Sequence, residues 1–93
     1  MPETTTKTLR IVIVTPERAV LDAKADFIVL PMVDGELGIL PQHAPVIGRI
    51  GKGELRITTA GAVTKWQIAG GFAQVRKDVV TVLTEKANIS ATS

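Results

Sequence analysis

Apolar and polar positions alternate along short stretches of this chain, and turn residues interrupt them at close intervals. Leu9, Ile11 and Ile13 share one face of a strand predicted from Leu9 to Val14, because successive side chains of a strand point to opposite sides. Leu55-Arg56-Ile57-Thr58 alternates apolar with polar, the mark of a half-buried strand. Thr64, Trp66 and Ile68 share a face against Lys65 and Gln67, and Val79 to Thr84 reads as a strand buried on both sides or nearly so. Between these segments lie Asp34-Gly35, Gly51-Lys52-Gly53, Ala60-Gly61, Gly70-Gly71 and Lys77-Asp78. Short β-branched segments separated by such turns predict a β-sandwich or barrel.

The stretch from Thr15 to Ala25 carries two signals. A cap residue, a proline in the first helical position and good helix formers favour a helix. Against that, Leu21, Ala23, Ala25, Phe27 and Val29 alternate with Asp22, Lys24 and Asp26, the period of a strand. The alternation runs on into the apolar segment that follows, so a turn and then a strand is the preferred reading. A second ambiguity is a near-repeat: Gly35-Glu36-Leu37-Gly38-Ile39 returns as Gly53-Glu54-Leu55-Arg56-Ile57. Its flanks share nothing, so each copy reads as a glycine turn releasing the chain into a strand, not as a tandem unit.

The chain has 93 residues, room for one domain. A domain of that size buries roughly 60–65% of its unfolded surface, which makes for modest stability. Apolar residues form 45% and charged residues 22%, ordinary for a globular fold. There is no cysteine and a single histidine, so neither a disulfide nor a usual zinc site can form, and no metal is expected. The net charge of +2 is slight, and only Arg76-Lys77 are adjacent cations. With three aromatic rings, Phe27, Trp66 and Phe72, little is on offer for base stacking, so nucleic acid is not an expected partner. The start, Met1 to Lys7, lacks the apolar stretch of a secretion signal, and the longest apolar run, Phe27 to Val33, is too short to insert in a membrane. Asn88-Ile89-Ser90 matches a glycosylation sequon and reads as chance.

No catalytic set emerges. His43 has no acid or nucleophile at a telling spacing, and Glu36 and Glu54 sit at turn exits where solvated acids are common. Gly48-Arg49-Ile50-Gly51-Lys52-Gly53 has the wrong spacing for a phosphate loop and leads into a strand pattern. A cofactor is therefore not expected. A small nucleic-acid-binding β-barrel, suggested by the pI of about 9.3, is the alternative, and an enzyme built around His43 a more distant one.

Gly35-Glu36-Leu37-Gly38-Ile39-Leu40-Pro41-Gln42-His43-Ala44-Pro45 resembles the signature of the epsilon subunit of F-type ATP synthases, the subunit called delta in mitochondria. Leu9 to Pro16, Gly70 to Val75 and Asp78 to Ala87 resemble the family's opening strand, its Gly-Gly step and its last strand, in the right order. The resemblance implies an all-β fold, a ten-stranded sandwich of two antiparallel sheets over residues 8–87. A flexible start at 1–7 and a polar tail at 88–93 would flank it. It also implies a non-catalytic rotor subunit, peripheral on the cytoplasmic face of a bacterial inner membrane, linking gamma to the ring of c subunits; nucleotide binding, which some members place in a C-terminal helical pair, is not expected here. Gly35, Glu36, Leu37 and Gly38 would face the ring. Thr15, His43, Ala44, Pro45, Ile47 and Gly48 would face gamma, although Gly48 departs from the small polar residue common at that position. Ile39, Leu40, Val46 and Ile47 are candidates for the apolar core of an interface, stiffened by Pro41 and Pro45. The helical pair that ends most members of the family has no counterpart in the sequence, so inhibition by it is not expected.

Overall fold

A computed structural model describes residues 8–92. The start at 1–7 lies outside the described residues. Eight strands follow one another: β1 (Leu9–Val14), β2 (Ala19–Ala25), β3 (Phe27–Met32), β4 (Gly35–Ile39), β5 (Val46–Thr59), β6 (Ala62–Arg76), β7 (Val79–Leu83) and β8 (Ala87–Thr92). There is no helix among the described residues. The contested stretch after Thr15 resolves as the alternation predicts. Thr15 and Arg18 exchange backbone hydrogen bonds of 2.9 and 3.2 Å, and β2 then places Ala25, Ala23 and Leu21 opposite the core residues Leu9, Ile11 and Ile13.

Strands β5 and β6 form a long hairpin that serves two layers. One layer runs β2-β1-β7 and is completed by the second half of β6 and the first half of β5. The other runs β4-β3, the second half of β5, the first half of β6, and β8. Inward residues of both layers meet in a single core, among them Ile11, Ile13, Ile28, Leu30, Leu55, Val80 and Val82. The crossing leaves a signature in the sequence. Ile50 and Leu55 stand an odd number of residues apart, yet both are buried, as are Ile68 and Ala73 on the facing strand. Alternation therefore slips by one on both strands where Gly51 and Gly53 stand beside Gly70 and Gly71. Glycine suits such a corner because it has no Cβ to obstruct close backbone approach. At Gly71, φ is +122° and a Cβ would overlap the Leu83 carbonyl.

Three details differ from the sequence reading. The count is eight strands rather than ten, because β5 and β6 each pass unbroken through both layers and would be counted twice if divided at their glycines. The tail expected at 88–93 is paired as far as Thr92: β8 hydrogen-bonds to β6 from Ala87 to Thr92, where Ala87 packs on the core, Asn88, Ile89 and Ser90 are exposed, and no apolar alternation announces it. The last apolar strand, β7, buries Val80 and Val82 and leaves Leu83 half exposed, so it is covered on one face only. It also lies parallel to β1, an exception to an otherwise antiparallel arrangement among the described strands.

Candidate functional site

The outward face of the β2-β1-β7-β6-β5 layer carries large apolar side chains. Arg49, Phe72, Leu83 and Val14 line up across four strands in register, and Ile47 stands beside them opposite Gln74. Ile47 is 75% exposed, Phe72 52% and Leu83 50%. Strand alternation forces this placement, since their neighbours Ala73, Val82 and Ile13 fill the core. A groove of about 360 Å³ runs between Val14, Thr15, Phe72 and Leu83. Contiguous exposed apolar surface on a small domain marks an interaction face. The sequence reading named Thr15 and Ile47 but missed Phe72 and Leu83, which lie between them. The outward parity of Phe72 could have been read from the alternation of Phe72-Ala73-Gln74-Val75.

At the margin of this face the loop from Leu40 to Pro45 carries His43. The His43 amide donates to the Leu40 carbonyl at 3.2 Å, and Nδ1 lies 2.7 Å from the Ala44 carbonyl oxygen. A carbonyl only accepts, so Nδ1 donates this hydrogen bond. Among the described residues no carboxylate is hydrogen-bonded to the ring to orient it as a general base is oriented. The loop is braced from below: the Gln42 amide donates to Oδ1 of Asp78 at 2.6 Å, while the Asp78 carbonyl accepts from the Arg10 amide at 2.8 Å. Gln42, Lys77 and Asp78 all have positive φ, so this junction holds backbone strain that the hydrogen bonds must offset.

A second group forms on the other layer. The turn at Val33-Asp34 joins β3 to β4, and Glu36 stands opposite Pro31. Arg56 of β5 reaches across β3 and grips the Glu36 carboxylate with both terminal nitrogens, Nη1 to Oε2 at 3.0 Å and Nη2 to Oε1 at 3.1 Å. Glu54 Oε1 lies 3.5 Å from the same Nη1. The hydrogen bonds from Arg56, with its charge adding, hold the Glu36 carboxyl below its ordinary pKa. This arrangement gives the near-repeat a spatial meaning. Strand β3 pairs with β4 on one side and β5 on the other; Ile39 and Ile57 both oppose Ile28, and Gly38 and Arg56 both oppose Val29. The ends of the two copies therefore flank β3 in step, and although the β3–β5 register shifts beyond Arg56, Leu37, Ile39, Leu55 and Ile57 all turn to the core. Arg56 is the one position where the copies differ, and it sits between the two carboxylates.

Not every expected contact residue points outward. Ile39 is fully buried and Val46 half-buried, because each lies on the inward parity of its strand; of the proposed interface core only Leu40 and Ile47 are exposed. Gly48 also faces inward, where a Cβ would come within 2.7 Å of Met32 Cε. Gly38 gives room for the Phe27 ring, 3.1 Å from where a Cβ would stand. Thr15 is buried, and its hydroxyl donates to the Arg18 carbonyl at 3.1 Å. Gly35, Glu36 and Leu37 do meet Ile47 and Gly48 along a groove of about 280 Å³. Among the described residues no three of His, Asp or Glu stand close enough to hold a metal ion, and no helix is long and apolar enough to cross a membrane.

The described residues thus form a two-layered β domain with a broad apolar face, a braced loop and an ion-paired hairpin. The chain belongs to the family of ATP synthase delta/epsilon chains: the model of that family's β-sandwich domain matches residues 8–90. It is similar to the ATP synthase epsilon chain of Rhodopirellula baltica, 54% identical over 79 residues, covering 85% of this chain and 62% of the relative. It is also similar to that of Desulforamulus reducens, 44% identical over 81 residues, covering 87% and 61%. The chain thus spans about three-fifths of the length of these curated relatives. Among solved structures, a chain of the Euglena gracilis mitochondrial ATP synthase (OSCP/F1/c-ring) shares the fold with a TM-score of 0.83 at 22% identity, covering 96% of this chain and 61% of that one. A chain of the Tetrahymena thermophila mitochondrial ATP synthase central stalk and c-ring gives 0.71 at 15% identity, covering 90% and 68%.

Proposed function

We propose that this chain works as a non-catalytic rotor subunit in the central stalk of an ATP synthase, at the membrane surface but not inserted in it. The layer bearing Val14, Ile47, Phe72 and Leu83 docks on the gamma subunit, with Thr15 at one margin and the His43-Ala44-Pro45 loop at another. The β3–β4 hairpin, with Gly35, Glu36, Leu37 and Gly38, meets the polar loops of the c-ring. Ion-driven rotation of the ring then passes through the sandwich to gamma. The observation that carries this reading is the continuous exposed apolar face on a fold shared with a chain of a solved ATP synthase central stalk and c-ring.

The physics suits the task. A coupling element must hold its shape under load. Here the core is shared by both layers through one hairpin, so displacing one layer strains the other. Pro41 and Pro45 restrict the loop before docking, which reduces the entropy lost on association. Phe72 supplies a large apolar surface at little rotamer cost, the character of an interface anchor. The test is co-purification with a gamma–c-ring subcomplex at low salt. The chain is expected to co-elute, and free elution of all of it would refute the reading.

A further inference from the structure

Glu36 and Glu54 occupy matching places in the near-repeat, on the two strands that flank β3. Left alone, two outward carboxylates on one face would repel each other and adopt many rotamers. Arg56 prevents both. Its guanidinium takes Glu36 in the two-pronged geometry that a planar fork imposes, while its Nη1 also approaches Glu54. The ground beneath is apolar and tightly filled: Val29 and Pro31 are buried on this outward side of β3, and Gly53 stands so close to Pro31 that a Cβ would meet its ring carbon at 3.1 Å. Bare glycines at 38 and 53 make room on this side for the Phe27 ring and for Pro31, beside which the three charged side chains lie.

We propose that Arg56 is a positioning residue: it fixes the Glu36 carboxylate in one plane, so that the oxygen lone pairs left free by the fork are presented outward to hydrogen-bond donors on the ring. This rests on the reading that Glu36 faces the c-ring. A carboxylate has about four acceptor sites, and a fork uses two, so the clamp orients Glu36 without exhausting it. It also confines a side chain that would otherwise lose rotamer freedom on docking. The near-repeat follows from this role: one copy supplies the contacting acid, and the other supplies the residue that aims it.

The experiment is a double-mutant cycle on affinity for the purified gamma–c-ring subcomplex, using the full chain with Glu36→Gln, Arg56→Met and both together. Arg56→Met keeps the side-chain stem and removes the fork. It is expected to weaken binding about fivefold, the upper end for a part-exposed pair, with only a small drop in unfolding temperature and the fold intact. In the Glu36→Gln background the same change is expected to cost nothing further. Arg56→Lys, which retains charge but not the fork, is expected to bind no better than Arg56→Met. If Glu36→Gln weakens binding and Arg56→Met does not, the clamp has no positioning role and the proposal fails alone. An equal loss from Arg56→Met in both backgrounds overturns it too, because Arg56 would then act independently of Glu36. Should Glu36→Gln bind like the parent chain, the ring-facing reading of Glu36 falls, and the clamp proposal with it.

Discussion

Arg56 and Glu36 join across β3 through two hydrogen bonds of 3.0 and 3.1 Å, linking the two strands that carry the repeated Gly-Glu-Leu. The hydrogen bonds from Arg56 lower the Glu36 pKa, with its charge adding to the effect and partial desolvation opposing it. A carboxyl lowered on folding contributes stability that is fully present above its unfolded pKa and is lost as pH falls through its folded pKa. In a carbonyl-detected NMR titration Glu36 is expected to titrate below the ordinary glutamate range and to return to it in Arg56→Met. Asp22, gripped by Arg10 at 2.6 and 2.8 Å and lowered for the same reason, is expected to be unaffected by that change.

Gly71 makes a sharper claim about the crossing between layers. Its φ of +122° is one that L side chains rarely adopt, and a Cβ there would collide with the Leu83 carbonyl. Gly71→Ala is therefore expected to destabilise the domain by about 3 kcal/mol or more, combining backbone strain with overpacking. Gly61→Ala, at φ +83° with nothing within 4 Å, is expected to cost only about 1–2 kcal/mol. Thermal unfolding of the two variants compares them directly.

Asp78 is expected to hold the His43 loop in place. Asp78→Ala removes the acceptor for the Gln42 amide and leaves a left-handed Gln42 without its brace. About 1 kcal/mol of stability should be lost. Hydrogen exchange at Gln42 and His43 is expected to accelerate, while exchange at Val80 and Val82 in the core follows only the change in global stability.

Much of this fold could be read in the sequence, and what could not has definite causes. Leu9, Ile11 and Ile13, and Leu55 with Ile57, show their inward faces because each strand there has one wet side. Strand β8 was hidden because pairing with β6 is a matter of backbone hydrogen bonds, and Asn88, Ile89 and Ser90 are all exposed. The ten strands that the resemblance implies are eight here, and Gly70-Gly71, which reads as a turn in the sequence, is a corner within one continuous strand. Ile39 looked available because the signature around it is loop-like, yet its parity in β4 sends it to the core. The Arg56 clamp could not be foreseen from local pattern, since it depends on two strands sharing β3. The apolar face was half legible: Ile47 was named, but Phe72 and Leu83 become its neighbours only through the β5-β6-β7 register.

That face supports the prediction on which the functional account turns. Phe72 and Leu83 are half exposed, so Phe72→Ser and Leu83→Ser are each expected to change stability by no more than about 0.5 kcal/mol. As anchors at the middle of an interface, each should weaken association by about tenfold or more. The direct measurement is the affinity of the Phe72→Ser, Leu83→Ser double variant for the gamma subunit, alongside the parent chain and an Ile89→Ser control on β8. A loss of a hundredfold or more in the double variant, with the control unchanged and the fold intact, is the expected result; parent-like affinity in the double variant would contradict the account.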